Sequence, residues 1–483
     1  MSEQMNFHQH YVSPFAERYR RSSCYVWSDQ FKVQTYRKIW TKLAKAQKAA
    51  GVKIITDKAI LSMESAIHEY NPQRIEELEA VTQHDIQANI QAFGELAPEA
   101  RDIIHLGCTS AFVVDNYYLI AMRKSLEVIK YRLILLIHKY YNMAKHYKYD
   151  LCLAYTHGQV AQITTIGKRL ASWLQDLIED LEYIDFITPK IKMLGCRGPI
   201  GSASTMMQVV GFDKDKVIKI EQHMVEALGF ESVYDISTQT YPRKINSQVF
   251  TALSNIAETA SKISIDIRLL SSLGDATEVY GKGYIGSSAM PHKVNPIISE
   301  KVTSLSRFVI IQAQAQSFTT SNQWLERSLD DSAISRLIIP ETFMATIEVL
   351  ISLEEMTLKF KNFDTQCADE EFITLFSDNV VTEGILRGLK RHDVYKIIQE
   401  YLSTHKHLNY LKNNKSDDGI LDFINKSDKT NEFKETMTNI ILHMKNTTTF
   451  DESNDKMLGL TNLYTDTVLS RVESYFNENS ILL

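Results

Sequence analysis

Four short polar stretches hold the side chains of this chain that could move protons or grip anions. They are "TQHD" (82–85), "HLGCTS" (105–110), "YTHGQ" (155–159) and "GSSAMPHKVNP" (286–296). Between them they offer imidazoles (His84, His157), hydroxyls (Thr109, Ser110, Thr156, Ser287, Ser288), the Lys293 ammonium and the Asn295 amide. No serine sits in a G-x-S-x-G elbow and no metal-ligand spacing occurs. Singly, a histidine near a helix start is a cap or a satisfied core group, and paired hydroxyls cap helices or make turns. Jointly they can relay protons and hold a carboxylate or phosphate.

The last stretch has local physics of its own. Asn295-Pro296 reads as an N-cap followed by proline at the first helical position, so the loop should end on a helix N-terminus. The free amides and positive dipole end there favour an anion, and Lys293 adds a full charge. Gly281, Gly283 and Gly286 satisfy G-x-G-x-x-G, but no apolar strand is predicted before them and no helix after the last glycine. The dinucleotide reading is therefore rejected, and the glycines read as hinges of a lid.

Long helices must position these groups. In 247–272 apolar residues fall at Val249, Phe250, Leu253, Ile256, Ala257, Ala260, Ile263, Ile267 and Leu270, a spacing of three and four. Ile163, Ile166, Leu170, Trp173, Leu174, Leu177, Leu181 and Ile184 repeat it, and 117–147, 297–318 and 332–360 behave alike. Each polar stretch then lies where a helix begins or ends. Shorter helical pieces precede residue 110, and after 362 the composition turns polar and rich in Asn and Lys. Three domains are expected: 1–111, 112–362 carrying the bundle and the polar loop, and 363–483. Such wide apolar faces can hide only against one another or against further subunits.

Composition agrees. Only 18 glycines and 9 prolines in 483 residues disfavour loop-rich β architectures. Five cysteines without CxxC spacing argue against a disulfide framework and for a reducing, cytoplasmic setting. The N-terminal stretch lacks a signal-peptide core, no window approaches a membrane span, and a net charge of −6 removes any general case for nucleic-acid binding. His8, His10, His405 and His407 read as exposed polar residues.

The loop 286–296 resembles the G-S-S-x-M-P-x-K-x-N signature of the fumarase/aspartase superfamily. "SPFAERY", "TQHDI", "IIHLGCTS", "THGQVAQITTIGKR", "TQTYPRKIN" and "WLERSLDDSAISR" extend the likeness, over nearly the whole chain, to the adenylosuccinate lyase family. The resemblance implies an all-α, three-domain fold and a homotetramer around a central twenty-helix bundle, with each active site shared by three subunits. It implies elimination of fumarate from succinylated purine nucleotides, with no metal or organic cofactor, no nucleic acid and no membrane. Ser287 corresponds to the general base, His157 to the general acid and His84 to a second site histidine near the phosphate. Lys293 and Asn295, with Thr109 and Ser110, match the carboxylate-binding set, and Thr156 and Gln239 line the same pocket. Arg18, Tyr19, Arg327, Ser332 and Arg336 match the group gripping the phosphate, and Asp85 orients its surroundings. Val160 stands where proline is common, Val294 where some members carry arginine, and Lys301 where an arginine of the anion shell is often found. An argininosuccinate lyase would leave Arg18, Arg327 and Arg336 without an anion, and a silent relative would not need Ser287, Lys293, Asn295 and His157 intact.

Overall fold

The computed structural model describes residues 11–19, 24–284, 286, 289–290, 292–363, 369–409, 419–447 and 458–482. The chain forms two compact units: Met1–Leu136, Leu177–Arg268 and Ile285–Met356 make one, and Ile137–Asp176, Leu269–Tyr284 and Thr357–Leu483 the other.

The first unit begins with four helices: α1 (Asp29–Ala49), α2 (Asp57–Ala66), α3 (Pro72–Thr82) and α4 (Asp85–Leu96). Their starts follow from local chemistry. The Ser28 hydroxyl accepts from Phe31 N, the Thr56 hydroxyl from Ala59 N, and the Asn71 amide oxygen from Arg74 N with Pro72 at the first helical position. At 21 residues α1 is longer than the short pieces expected before residue 110, because Val33, Tyr36, Ile39, Trp40 and Leu43 give it a continuous buried face.

Then come α5 (Ser110–His146), α6 (Ile166–Ile187), α7 (Ser204–Val209), α8 (Lys214–Leu228), α9 (Lys244–Leu273), α10 (Ile297–Asn322) and α11 (Asp331–Glu355). All nine apolar positions read from the 247–272 periodicity are buried, as are Ile166, Leu170, Trp173, Leu174, Leu177, Leu181 and Ile184 of α6. The helices expected over 117–147 and 297–318 are present with shifted ends, whereas the one expected over 332–360 stops at Glu355 and Thr357–Phe360 forms a strand.

A buried ion-pair network joins three helix starts of this unit. The Arg243 guanidinium, just ahead of α9, donates from Nη1 and Nη2 to the two Asp115 carboxylate oxygens at 3.1 Å each, and from Nε to Asp331 Oδ2 at 2.7 Å. Asp115 lies in the second turn of α5 and Asp331 opens α11. All three are buried, and Asp115 Oδ2 also accepts from Tyr241 N at 3.0 Å. Burial raises the Asp115 carboxyl above its ordinary value even against Arg243, while the paired aspartates hold Arg243 charged.

The second unit contains an antiparallel hairpin, β1 (Leu151–Thr156) with β2 (Gln159–Thr165), and a second antiparallel pair, β3 (Ala276–Val279) with β4 (Thr357–Phe360). Helices α12 (Asp369–Leu386), α13 (Arg391–Asn409), α14 (Ile420–Lys426), α15 (Asn431–Thr447) and α16 (Thr461–Glu478) complete it. Ile373, Phe376, Val380, Val394, Ile397, Tyr401, Ile424, Met437 and Ile440 are among the residues of its core, with Leu151 and Ile163 of the hairpin.

Two sequence expectations are corrected here. "YTHGQ" is not at a helix end but at the hairpin tip, with Ile163 in β2; Val160, Thr164 and Thr165 suit a pleated edge, and the helix starts only at Ile166. A short strand, β3, does precede Gly281, but it pairs antiparallel with β4, and the next helix opens at Ile297. Rejection of the dinucleotide motif therefore rests on the missing parallel βαβ unit rather than on a missing strand.

Replacing Arg243 by methionine leaves two buried carboxylates without their cation. A destabilisation of about 3–5 kcal/mol is expected. It is read as a lowered thermal unfolding midpoint, to be compared with Lys262→Met, an exposed lysine paired with Asp266, which should change the midpoint little.

Candidate active site

The amino ends of α5, α9 and α11 converge on the Arg243 network, and each brings candidate ligand groups with it. At α5 the chain arrives through His105 and Gly107, both left-handed (φ +69° and +76°), and Thr109 O accepts from Phe112 N at 3.0 Å to open the helix beside Ser110. Glycine suits position 107, where φ is left-handed and a Cβ would press on Met206 Cε at 3.0 Å and Val209 Cγ2 at 3.1 Å. Ahead of α9, Gln239 N donates to Glu326 O at 3.2 Å, which sets Gln239 beside Arg327, and its side-chain amide donates to Pro199 O at 3.1 Å. At α11, Ser332 follows the buried Asp331, and the Arg327 charge is felt at Asp115. Thr109, Ser110, Gln239, Arg327 and Ser332 are thus gathered where three helix dipoles present their positive ends, an environment suited to carboxylate and phosphate.

A second cluster flanks α11. The His84 Nδ1 accepts from Gln87 N at 3.4 Å as the N-cap of α4, and Asp85 Oδ2 lies 3.6 Å from Arg336 Nη2. Behind them stand Tyr36, Tyr117 and Tyr118; burial pushes the Tyr118 hydroxyl up to about 12, with Arg336 acting in the opposite sense. The segment bearing Arg18 and Tyr19 is pinned nearby on the helices: Ser13 Oγ donates to Glu341 Oε1 at 2.6 Å, and the buried Phe15 ring lies 5.6 Å from Phe308 and 5.7 Å from Tyr19. Arg18 and Arg336 are exposed, so an incoming phosphate can reach their guanidinium groups.

Ser287 and Ser288 of the signature loop lie outside the described residues, as do His8 and His10 and the side chains of His405 and His407. Lys293 is exposed at the loop's far end. Asn295 does not cap α10 as expected. The cap position is Pro296, one residue later, and the Asn295 side chain instead donates to Gly286 O at 2.9 Å, closing the loop across its base. Lys301 donates to the buried Glu348 at 3.0 Å, one turn into α10, so its charge is engaged within the fold. Val294 and Val160 are both exposed.

In the second unit, Thr156 and His157 lie at the tip of the β1–β2 hairpin, with Thr156 paired to Gln159. His157 (φ +52°) and Gly158 (φ +72°) form a two-residue turn in which both residues are left-handed, the geometry that matches strand twist and is normally filled by Asn-Gly. An exposed imidazole is thereby held at the outermost point of the turn.

A family model described as "Lyase" matches residues 15–310. The chain is 34% identical over 398 residues to an adenylosuccinate lyase of Saccharomyces cerevisiae, covering 81% of this chain and 83% of the relative. It is 38% identical over 354 residues to one of Schistosoma mansoni, covering 73% and 74%. The chain belongs to the adenylosuccinate lyase family. It is a carbon–nitrogen lyase of the fumarase/aspartase superfamily. Among solved structures, the fold is similar to a 3-carboxy-cis,cis-muconate lactonizing enzyme from Pseudomonas putida (TM-score 0.72, 17% identity, 94% of this chain and 97% of that one). It is also similar to a fumarate lyase from Mesorhizobium sp. BNC1 (TM-score 0.73, 17% identity, 93% and 97%). At that identity these two bear on the fold, which is the all-α one expected.

Sequence reasoning singled out the "HLGCTS" stretch for its hydroxyls and passed over His105. Trp40 Nε1 donates to His105 Nδ1 at 2.9 Å, so the neutral ring carries its proton on Nε2. Burial, with the charge of His84, lowers the His105 imidazole to about 4. A histidine in the left-handed region four residues before Thr109 was the available signal, but only backbone geometry reveals it. Among the described residues no group of three or more His, Cys, Asp or Glu could hold a metal ion, and no helix is long and apolar enough to cross a membrane.

The His105 shift has a definite sign. The unfolded chain takes up this proton near pH 6.5 and the folded chain only near pH 4, so stability present above pH 6.5 is lost as pH falls through that window. His105→Gln should flatten the fall in unfolding midpoint between pH 6.5 and 4, and the imidazole signal that stays neutral to about pH 4 by NMR should vanish in that variant.

Proposed function

We propose that the chain eliminates fumarate from adenylosuccinate, leaving AMP, and from the succinylated imidazole-carboxamide ribotide of the same purine pathway. The observation that carries this reading is the convergence of three helix amino ends, with Thr109, Ser110, Gln239, Arg327 and Ser332, in a member of the adenylosuccinate lyase family. A substrate with two carboxylates and a phosphate asks for that kind of environment. Ser287 takes the proton from the succinyl carbon beside a carboxylate, the electron pair passes into the forming C=C bond of fumarate, and the C–N bond breaks. The departing nitrogen takes its proton from His157. Lys293, Asn295, Thr109 and Ser110 meet the negative charge that builds on the carboxylate, where one well-placed donor is worth roughly 3–4 kcal/mol. Arg18, Tyr19, Arg327, Ser332, Arg336 and His84 hold the phosphate, Asp85 orients Arg336, and Thr156 and Gln239 line the succinyl pocket. Lys301, which pairs with Glu348 on α11, adds its charge to the group that holds the phosphate.

The same proposal includes a homotetramer with active sites shared between subunits, a cytoplasmic setting and three domains dividing near 111 and 362. Exposed apolar side chains support the assembly: Phe318 is 68%, Trp324 64%, Leu325 80% and Leu337 66% exposed in a single chain. The resumption of the second unit at Thr357 supports the boundary near 362.

Fumarate release from adenylosuccinate, followed by ultraviolet absorbance, tests the reaction. Ser287→Ala should abolish turnover with substrate binding largely intact; near-normal turnover in that variant, with loss in Ser288→Ala, moves the base to the other serine. For the phosphate, Arg327→Lys keeps the charge but not the two-pronged hydrogen bonding, so KM should rise about tenfold, roughly 1.4 kcal/mol. If the wild type cleaves succinyladenosine as efficiently as adenylosuccinate, the arginines do not form a phosphate site. Inactive Ser287→Ala and His157→Ala proteins should regain partial activity when mixed, and a fully active monomer would exclude shared sites.

A further inference from the structure

The hairpin tip that carries His157 has little to hold it by itself. A two-stranded hairpin is marginal alone, and here the pairing register slips between Ala154 and Tyr155, so the last rungs are separated from the regular ladder. Its base is well fastened: Leu151, Cys152 and Ile163 are buried, the Arg169 guanidinium donates to Leu153 O at 2.6 Å, and the Gln162 amide donates to Asp378 Oδ2 at 2.6 Å. Beyond the slip, Thr156 through Val160 are exposed. Tyr155 alone of the distal residues turns inward, and its hydroxyl donates to Asp275 Oδ2 at 2.5 Å.

Asp275 is itself fixed on both sides. Its backbone N–H donates to Leu270 O at 2.9 Å and its carbonyl accepts from Lys361 N at 2.8 Å, at the junction of α9 with the β3–β4 pair. From there β3 leads to Tyr280, whose ring stacks on Tyr284 at 3.8 Å across Gly281 and Gly283. The same carboxylate that anchors the hairpin therefore sits at the root of the strand leading into the glycine-hinged segment.

We propose that Tyr155 is a positioning residue, and that its hydrogen bond to Asp275 sets the turn so that the His157 imidazole stands where the leaving nitrogen needs its proton. The inference rests on the assignment of His157 as general acid. A short bond to a carboxylate is charge-assisted, and a tyrosine whose hydroxyl is raised by burial and by Asp275 remains a donor throughout the working pH range. Because the contact acts on orientation, its loss falls on turnover more than on binding.

The test uses the full-length protein and adenylosuccinate. Tyr155→Phe should lower kcat roughly tenfold with KM changed less than twofold. Asp275→Ala should fall as far, and Asp275→Asn, whose amide oxygen still accepts from Tyr155, should recover most of the loss. In a His157→Ala background, adding Tyr155→Phe should cost nothing further, whereas a general structural role would lower turnover again. Hydrogen exchange reports the pin without reference to catalysis: amides of 156–160 should exchange faster in Tyr155→Phe while those of α9 stay protected. Unchanged exchange there, or kcat within twofold of wild type, overturns the positioning role. Full turnover in His157→Ala instead overturns the acid assignment, and absence of fumarate release from the wild type overturns the reaction.

Discussion

The Arg243 guanidinium is the point on which the alignment of three helix starts in the first unit depends. One planar fork reaches two carboxylates on two other helices, and each contact fixes a helix start within five residues of a candidate ligand. Ser110 is five residues before Asp115, Ser332 is next to Asp331, and Gln239 is four residues before Arg243. A buried pair of this kind is not retained for stability, since an apolar replacement of the whole set can be as stable. What an apolar set lacks is direction. Leucines would let three helices slide by a rotamer, whereas bidentate geometry ties their registers together, and with them the candidate ligands beside those helix starts.

The long helices were legible because burial imposes a spacing of three and four on them, and the predicted faces of α6 and α9 are the observed ones. The network that aligns them was not. Arg243 stands in "YPRK", indistinguishable by composition from a surface cation, and its partners lie 128 and 88 residues away, so no window contains the pair. The hairpin was missed for a different reason. Ile163 and Ile166 fall three apart across a strand–helix junction and continue the helical spacing by accident, while His-Gly gives a weaker turn signal than Asn-Gly. The polar stretches themselves were readable by residue type, and the family resemblance supplied roles that type alone leaves open.

Charge pairing leaves the Arg336 guanidinium both ordered and available. Arg336 leans toward Asp85 at 3.6 Å with both side chains substantially exposed, a pair that costs little to break. The aspartate thus parks the guanidinium near the buried tyrosines without competing strongly against a dianion. Lys301 is the contrasting case: its partner Glu348 is buried, so this pair ties α10 to α11 more firmly than Arg336 is tied to Asp85.

Backbone strain marks the same places. Among the described residues, seven non-glycine residues have positive φ, and four of them are Gln83, His105, His157 and Leu325. Gln83 precedes His84, His105 precedes Thr109, and Leu325 precedes Arg327, while His157 is itself a candidate. In a helical chain a left-handed residue costs roughly 1–2 kcal/mol and is usually given to glycine. Glycine at these positions would relieve the strain and also free the loop, and at His105 and His157 it would remove what the side chain supplies. For His105 it is the Trp40 bond that anchors the approach to α5; for His157 it is the imidazole at the turn. A flexible glycine there would give the same path with no fixed donor at its end, and a β-branched residue could not adopt it. At His157 the left-handed turn sets the imidazole at the hairpin tip, and it persists because the paired strands and the Tyr155–Asp275 bond behind it hold the chain.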